Sequence, residues 1–362
     1  MIKKFGKVGF VLCMALTAFG CKNQFEIIAQ EEQIGVDEYD EAVVSFLDNT
    51  EVILRDGINR NEIGKTLQGY TTYLENRVST KIGRSVSANE SIFSGVDIAE
   101  ILENVVSELD LPELLSPTEI DLEKIKLDFP ELTDEEIIGN IEIISQIYQS
   151  EIALLAIDDI VFGCNISSVS GRSAGDYHVD IGDDTITLAE AAACLKHPFS
   201  ACGLIKQKDK AFSLTEEYMG HATRVDEKSD AFRHAMWNIV MAKEGWGLKK
   251  EKMSWARDFA TAHEEGVKYD GLASEMDLHN NRAGLRYYDE KASKKYKKIL
   301  WFKIEVGVSE PSYGEAAQAI KKRAIESTLV DESLVSLEVG KNMIASLAEN
   351  ELVHIEPDDT IY

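Results

Sequence analysis

Apolar residues recur at three- and four-residue spacing along most of the chain, the pattern of helices that each bury one face. Residues 41–84 show mixed helical periodicity, and Ser85, Ser87, Asn89 and Ser91 mark a loop after it. Residues 96–160 read as a run of acidic amphipathic helices, punctuated by Pro112, Pro117 and Pro130, each of which starts or ends an element. Thr133-Asp134-Glu135-Glu136 is a capping-box start, and the periodicity after it predicts one helix to about Leu155. A different pattern follows. Tyr177 to Ile181 alternates, Gly182-Asp183-Asp184 can turn, and Thr185-Ile186-Thr187 continues, which predicts a short hairpin. Thr187-Leu188-Ala189-Glu190 is a second capping box, opening an Ala-rich helix that stops near Pro198. The predicted fold is mainly α. An acidic helical region (41–162) leads to a multi-helix C-terminal domain (163–362, core 200–305) with the small hairpin at its start.

The N-terminus changes the compartment. Lys3, Lys4 and Lys7 precede an apolar stretch from Val8 to Ala18, too short to span a bilayer as a helix. Ala18-Phe19-Gly20-Cys21 places small residues before a cysteine, which resembles a bacterial lipoprotein signal (1–20). The resemblance implies cleavage before Cys21, lipidation of its thiol, and a location in the cell envelope on a lipid anchor. An ordinary secretory signal is the other reading, and export is common to both. Residues 21–40, polar and acidic, read as a tether. Cys164, Cys194 and Cys202 then remain in a compartment that permits disulfides. Three is odd, and spacing alone assigns no pair.

The chain of 362 residues has a net charge of −26, which disfavours nucleic acid as a partner. The balance is uneven. Lys206 to Lys303 carries 20 basic and 16 acidic residues, a surplus of +4, so a compositional step falls between residues 160 and 205. Lys291, Lys294, Lys295, Lys297 and Lys298 form a basic run, expected on a helix as a solvated face or a contact for anionic headgroups.

That same stretch holds the candidate chemistry. Ser229 and Asp230 are candidate N-caps for a helix to about Glu244, on which His234, Trp237, Asn238 and Met241 share a face. A second helix, from Ser254 to Glu265, turns Trp255, Phe259, Ala262 and His263 inward, and Gly266 ends it. In the third piece, Met276-Asp277-Leu278-His279-Asn280-Asn281, two readings stand. If a helix starts near Ser274, Asp277, Asn281 and Gly284 share a face and His279 lies about 200° from Asp277. If it starts near His279, Asp277 and His279 can aim the same way, as a metal site using both requires.

The pattern Arg-His-Ala-x-Trp-Asn, then His-Glu, then Met-Asp-Leu-His-Asn-Asn-x-x-Gly resembles an uncharacterised bacterial domain of secreted proteins, lipoproteins and the C-termini of toxin-like proteins. The resemblance covers about residues 200–305 and continues with Gly340-Lys341 and Leu352-Val353-His354-Ile355. It implies a shared domain and a shared site but carries no settled activity.

The residue types supply what hydrolysis needs. His234, His263, Glu264, Asp277 and His279 are the candidate catalytic groups, and Arg233, Asn238, Asn280 and Asn281 the candidate substrate contacts. Arg233 either clamps an anion or pairs internally with Asp277 or Glu264. His263-Glu264 is not a zincin motif, because Val267 stands where the second histidine belongs. Zinc or another divalent ion through His234, His263 and Asp277 is allowed by ligand type and not specified by spacing. Trp237, Trp246 and Trp255 read as core, and Gly284 as a point of close helix packing. His178, His197, His221 and His354 read as structural or exposed. The leading expectation is a hydrolase-like domain acting on a phosphoester, lipid or cell-wall substrate. The alternative is a non-catalytic envelope binding module with a structural polar cluster, and a nuclease toxin is a weaker third.

Overall fold

The computed structural model describes residues 66–130, 132–163, 185–222, 224–266, 271–299 and 302–357. The signal segment, Cys21, the tether, Cys164, His178 and the Tyr177–Ile181 alternation lie outside them. The described residues all belong to one compact unit. The fold is mainly helical, with three two-stranded sheets among the described residues. Among those residues no helix is long and apolar enough to cross a membrane.

The acidic region opens with α1 (Leu67–Ile82), capped by the Thr66 side chain and closed by Gly83 in a left-handed conformation. Strand β1 (Ser91–Ser94) leads into α2 (Gly95–Glu108), and Thr118 opens α3 (Glu119–Asp128) with a reciprocal capping box. The helix predicted from Thr133 is two helices, α4 (Asp134–Gly139) and α5 (Ile141–Gly163). Asn140 makes the break. Its side-chain amide donates to the Glu136 carbonyl at 2.7 Å, while its own carbonyl accepts from Ile143 and Ile144.

Thr185-Ile186-Thr187 is strand β2, as expected, but its described partner is β1, in antiparallel register with Ser91↔Thr187 and Ser94↔Thr185. The compositional step at 160–205 is therefore not a break in packing. The β1–β2 pair straddles it, and α1 packs against α6 (Leu188–Lys196) across it. Surface charge reports what faces water, and this contact is made by buried apolar residues such as Leu74, Val78 and Leu188. Glu190 completes the predicted capping box on Thr187. Cys194 is buried, and both Cys194 and Cys202 are free thiols.

After the short α7 (Pro198–Ala201) come α8 (Leu204–Met219), α9 (Lys228–Glu244), α10 (Lys249–Gly266) and α11 (Leu272–Lys291). Helix α9 is the centre of this bundle, packed by α8, α10, α11 and α12 (Tyr313–Ile325). Phe232, Met236, Ile239, Val240 and Met241 are fully buried on it. A helix enclosed on all sides has no solvent face, so each of its polar side chains must find a partner inside the protein. Gly284 of α11 sits so close to α9 that a Cβ there would lie 2.1 Å from the Ala235 carbonyl oxygen. The predicted close packing is present.

The basic run is not helical. Lys291 ends α11, and Lys294 to Lys298 lie in β3 (Ser293–Ile299), paired antiparallel with β4 (Phe302–Ser309). The partner decides this. Ile304, Val306 and Val308 alternate at strand spacing, and a lysine run has no period of its own to oppose them. The chain closes with β5 (Thr328–Leu329), α13 (Leu337–Ala345) and β6 (Val353–His354), which pairs parallel with β5.

Candidate functional site

Helix α9 starts at Lys228 with Glu227 as N-cap, so Ser229 and Asp230 lie inside the first turn rather than capping it. The shift matters for Asp230. Its Oδ2 accepts the Asp226 backbone N–H at 2.6 Å, and its Oδ1 faces inward. Asp230 and His234 stand four residues apart, one above the other on the same face. The His234 Nε2 lies 3.2 Å from Asp230 Oδ1 and 3.3 Å from Asp277 Oδ1, reaching across to α11. On the opposite edge of the ring, Nδ1 lies 3.5 Å from Glu264 Oε1 of α10. One imidazole is thus bracketed by carboxylates from three helices.

Asp230 Oδ1, Asp277 Oδ1 and His234 Nδ1 are closed to solvent, yet none makes a hydrogen bond. The atoms are close enough, but their angles are wrong. The neighbouring amides behave differently. Asn238 donates to Asn281 Oδ1 at 2.7 Å, and Asn281 donates to Glu264 Oε1 at 3.2 Å. This relay crosses α9, α11 and α10 and fixes the carboxylate that faces Nδ1. Arg233 donates to the Ala222 and Arg224 carbonyls at 3.0 and 2.9 Å and pairs with Asp230. It is an internal pair, as one of its two readings held, with Asp230 as the partner instead of Asp277 or Glu264.

The electrostatics follow from the count of charges. Burial alone would lower the His234 pKa, but Asp277, Asp230 and Glu264 together raise it to about 9. Burial raises Asp277 well above the usual carboxylate range, and Glu264 and Asp230 add to the rise while His234 opposes it. Burial acts upward on Asp230 too, yet Arg233 and His234 hold it below its ordinary value. Asp226, at positive φ (64°), is raised to about 6, first by burial and then by Asp230, Glu356 and Glu332.

Helix α11 begins at Leu272, which decides between the two readings of the third motif piece. Asp277, Asn281 and Gly284 do line one face, and each meets α9. His279 and Asn280 face elsewhere. His279 Nε2 donates to the Glu351 carbonyl at 2.9 Å, and Asn280 pairs with both backbone groups of Val353 at 2.9 and 3.0 Å. These two hold the closing strand β6. Asp277 and His279 therefore cannot ligate one ion.

His263 faces inward as expected, but its Nδ1 meets Glu190 Oε1 at 2.7 Å and its ring packs edge-on against Trp237 at 5.1 Å. Helix α10 starts five residues earlier than predicted, at Lys249, where the Glu251 carboxylate accepts the Leu248 N–H. In the set of ligand atoms close enough for one ion, Asp230 takes the place expected for His263. Asp230, His234 and Asp277 each offer an atom within 4.8 Å of the others. Asp230 was legible as the residue four before His234. Glu190 was visible only as half of a capping box.

A second buried histidine serves as contrast. His197 Nε2 meets Asp258 Oδ2 at 2.8 Å, and Lys196 pairs with the same carboxylate at 2.8 Å. Trp255 is fully buried beside it, with the Phe259 ring tilted against it at 5.1 Å, while Trp237 and Trp246 are only half-buried.

Residues 191–308 match a family described as a domain of unknown function (DUF6973). The span contains the whole Asp230–His234–Glu264–Asp277 cluster and its Asn relay. It begins one residue after Glu190 and ends before the strand that His279 and Asn280 hold. No curated protein matches the chain.

Proposed function

We propose that the chain is a bacterial envelope lipoprotein, anchored through Cys21, whose C-terminal domain is a hydrolase acting at the Asp230–His234–Asp277 cluster. One observation carries this reading. Carboxylates from three helices converge on a single buried imidazole, and the Asp230 and Asp277 oxygens that face it make no hydrogen bond, an arrangement that costs stability and is typical of functional sites. Such groups can orient a water molecule and stabilise charge at an ester or phosphoester. Asp277 is 16% exposed against 3% for Asp230, so the approach is from its side. Glu264, Asn281 and Asn238 position the imidazole from behind. Arg233 is a positioning residue for Asp230, because its donors are already engaged. His263 stands outside the cluster and supports it through Trp237. Phosphoester, lipid and cell-wall bonds are the substrate classes of an envelope location.

The test compares the full-length chain with His234→Ala and Asp277→Asn on a panel of carboxylic esters, phosphoesters and peptidoglycan fragments. Turnover lost in both variants, with native helical content kept, supports the reading. Turnover unchanged in both defeats it. The low exposure of His234, 8% at its side chain, favours a second reading. In that reading the cluster is a structural network within a non-catalytic module that binds another envelope component. There the variants lose thermal stability while the chain turns over nothing.

A further inference from the structure

We infer that Asp230, His234 and Asp277 form a binding site for one divalent transition cation of the zinc or manganese class, held by two carboxylate oxygens and an imidazole nitrogen. The inference rests on the hydrolase reading only for which cluster is the functional site. Four features of the cluster point to a cation.

The spacing is that of ligands around an ion. Two atoms each about 2.1 Å from a tetrahedral metal lie about 3.4 Å apart. His234 Nε2 stands 3.2 Å from one aspartate oxygen and 3.3 Å from the other. Asp277 comes from a different helix, so its match is not a by-product of helical repeat.

The oxygens are aimed at nothing else in the way of hydrogen bonds. Asp230 is 2% exposed, and its Oδ1 makes no hydrogen bond, touching only the Arg233 guanidinium and the imidazole as ion pairs. A carboxylate oxygen has two lone pairs, and Arg233 uses one direction. Asp277 Oδ1 is likewise without a hydrogen bond.

The ring has a carboxylate behind it. Glu264 lies 3.5 Å from the far nitrogen, without a hydrogen bond to it, and is itself fixed by Asn281 at 3.2 Å. Its charge on that side favours a proton at Nδ1, the tautomer that leaves Nε2 free to ligate.

The charges suit a divalent cation. Asp230, Asp277 and Glu264 face one guanidinium, and an ion ligated at Nε2, where it replaces the imidazole proton, meets the two negative charges that Arg233 leaves. A divalent ion cancels both. Asp230 and His234 form an Asp-x-x-x-His pair on one helix turn, the same i, i+4 geometry that places two ligands together in helical metal motifs. Three protein ligands leave a coordination position for water, on the side where Asp277 is partly exposed. His263 is not a ligand, because Glu190 holds it.

The test uses the full-length chain, dialysed against a chelator and then loaded with Zn²⁺ or with Mn²⁺ alone. Metal content is read by mass spectrometry after removal of excess ion, and thermal midpoint by circular dichroism. Expected are about one equivalent of one of these ions per chain and a raised midpoint. Asp230→Asn and Asp277→Asn should each weaken binding by at least about tenfold, while His263→Gln keeps it. Folded wild type that retains neither ion overturns the inference. So does retention unchanged in Asp230→Asn and Asp277→Asn, or lost only in His263→Gln. Bound metal without turnover on any substrate leaves this site standing and removes hydrolysis. Turnover that depends on His234 in metal-free protein does the reverse.

Discussion

His197 and His234 are both buried histidines that face aspartates, 37 residues apart and in the same bundle. Around His197 the books are closed. One carboxylate, Asp258, receives the imidazole and the Lys196 ammonium, each at 2.8 Å, and Ser254 adds a hydroxyl at 3.2 Å. Burial pushes the His197 pKa down, so the ring stays neutral and donates, while its hydrogen bond and Lys196 hold Asp258 ionised. Around His234 three carboxylates crowd one ring, one guanidinium answers them, and three polar atoms make no hydrogen bond. The difference separates a buried histidine whose partners are satisfied from one whose partners are not. Burial and an acidic neighbour are common to both, and satisfied geometry with balanced charge belongs only to the first.

The comparison can be broken most forcefully by pulling α9 and α11 apart. Gly284→Ala puts a Cβ within 2.1 Å of the Ala235 carbonyl oxygen, a backbone atom that cannot turn aside. It should cost about 3 kcal/mol or more and scatter the Asp277–His234 contact. A denaturant midpoint indistinguishable from wild type would show that the helices are free to part.

Removing a carboxylate should have opposite weight at the two sites. Asp258→Asn leaves His197 and Lys196 without their acceptor charge and should destabilise by about 3 kcal/mol, a typical loss when one member of a buried pair is deleted. Equal stability in urea titration would mean that the His197 network is not the closed one.

His263 gives an intermediate case and a pH test. Burial would lower its pKa, but the Glu190 hydrogen bond and charge, with Glu264 behind them and Arg233 opposing, raise it to about 9. The folded ring therefore holds its proton more tightly than the unfolded chain, whose histidine titrates near 6.5. Its contribution is complete below about pH 6.5 and is lost as pH rises through about 9, a decline on the order of 3 kcal/mol. Thermal midpoints from pH 6 to 10 should fall for wild type and fall less steeply in His263→Gln, where His234 still titrates in the same window. Parallel curves would dissociate the slope from this residue.

The smallest effect is the most discriminating. In metal-free protein, Asp277→Asn relieves like-charge crowding as it removes a partner of His234, so stability should stay within about 1 kcal/mol of wild type. A loss as large as that of Asp258→Asn would place both histidines in the same structural class.

The legible part of the fold was local. Capping boxes at Thr133 and Thr187, the inward face of α10 and the tight packing at Gly284 follow from side chains within a few residues of one another, and all are present. The errors were also local choices, made where long-range partners had the deciding vote. The lysine run became a strand because β4 pairs with it. Asp230 was read as a cap, and the true N-cap lies three residues earlier, which turns its carboxylate into the cluster.

The sequence by itself determined that the chain is mainly helical, that Asp277, Asn281 and Gly284 share a face once their helix starts early, and that His263 looks inward. Helical periodicity and capping are properties of neighbouring residues, so a single strand of text carries them. Only the tertiary structure decided which carboxylate meets which imidazole. Glu190 takes His263 from 73 residues away, Glu351 takes His279 from 72, and Asp230, Glu264 and Asp277 are left to His234. Those assignments depend on how helices rotate and cross when their apolar faces pack, and no spacing along the chain encodes that rotation.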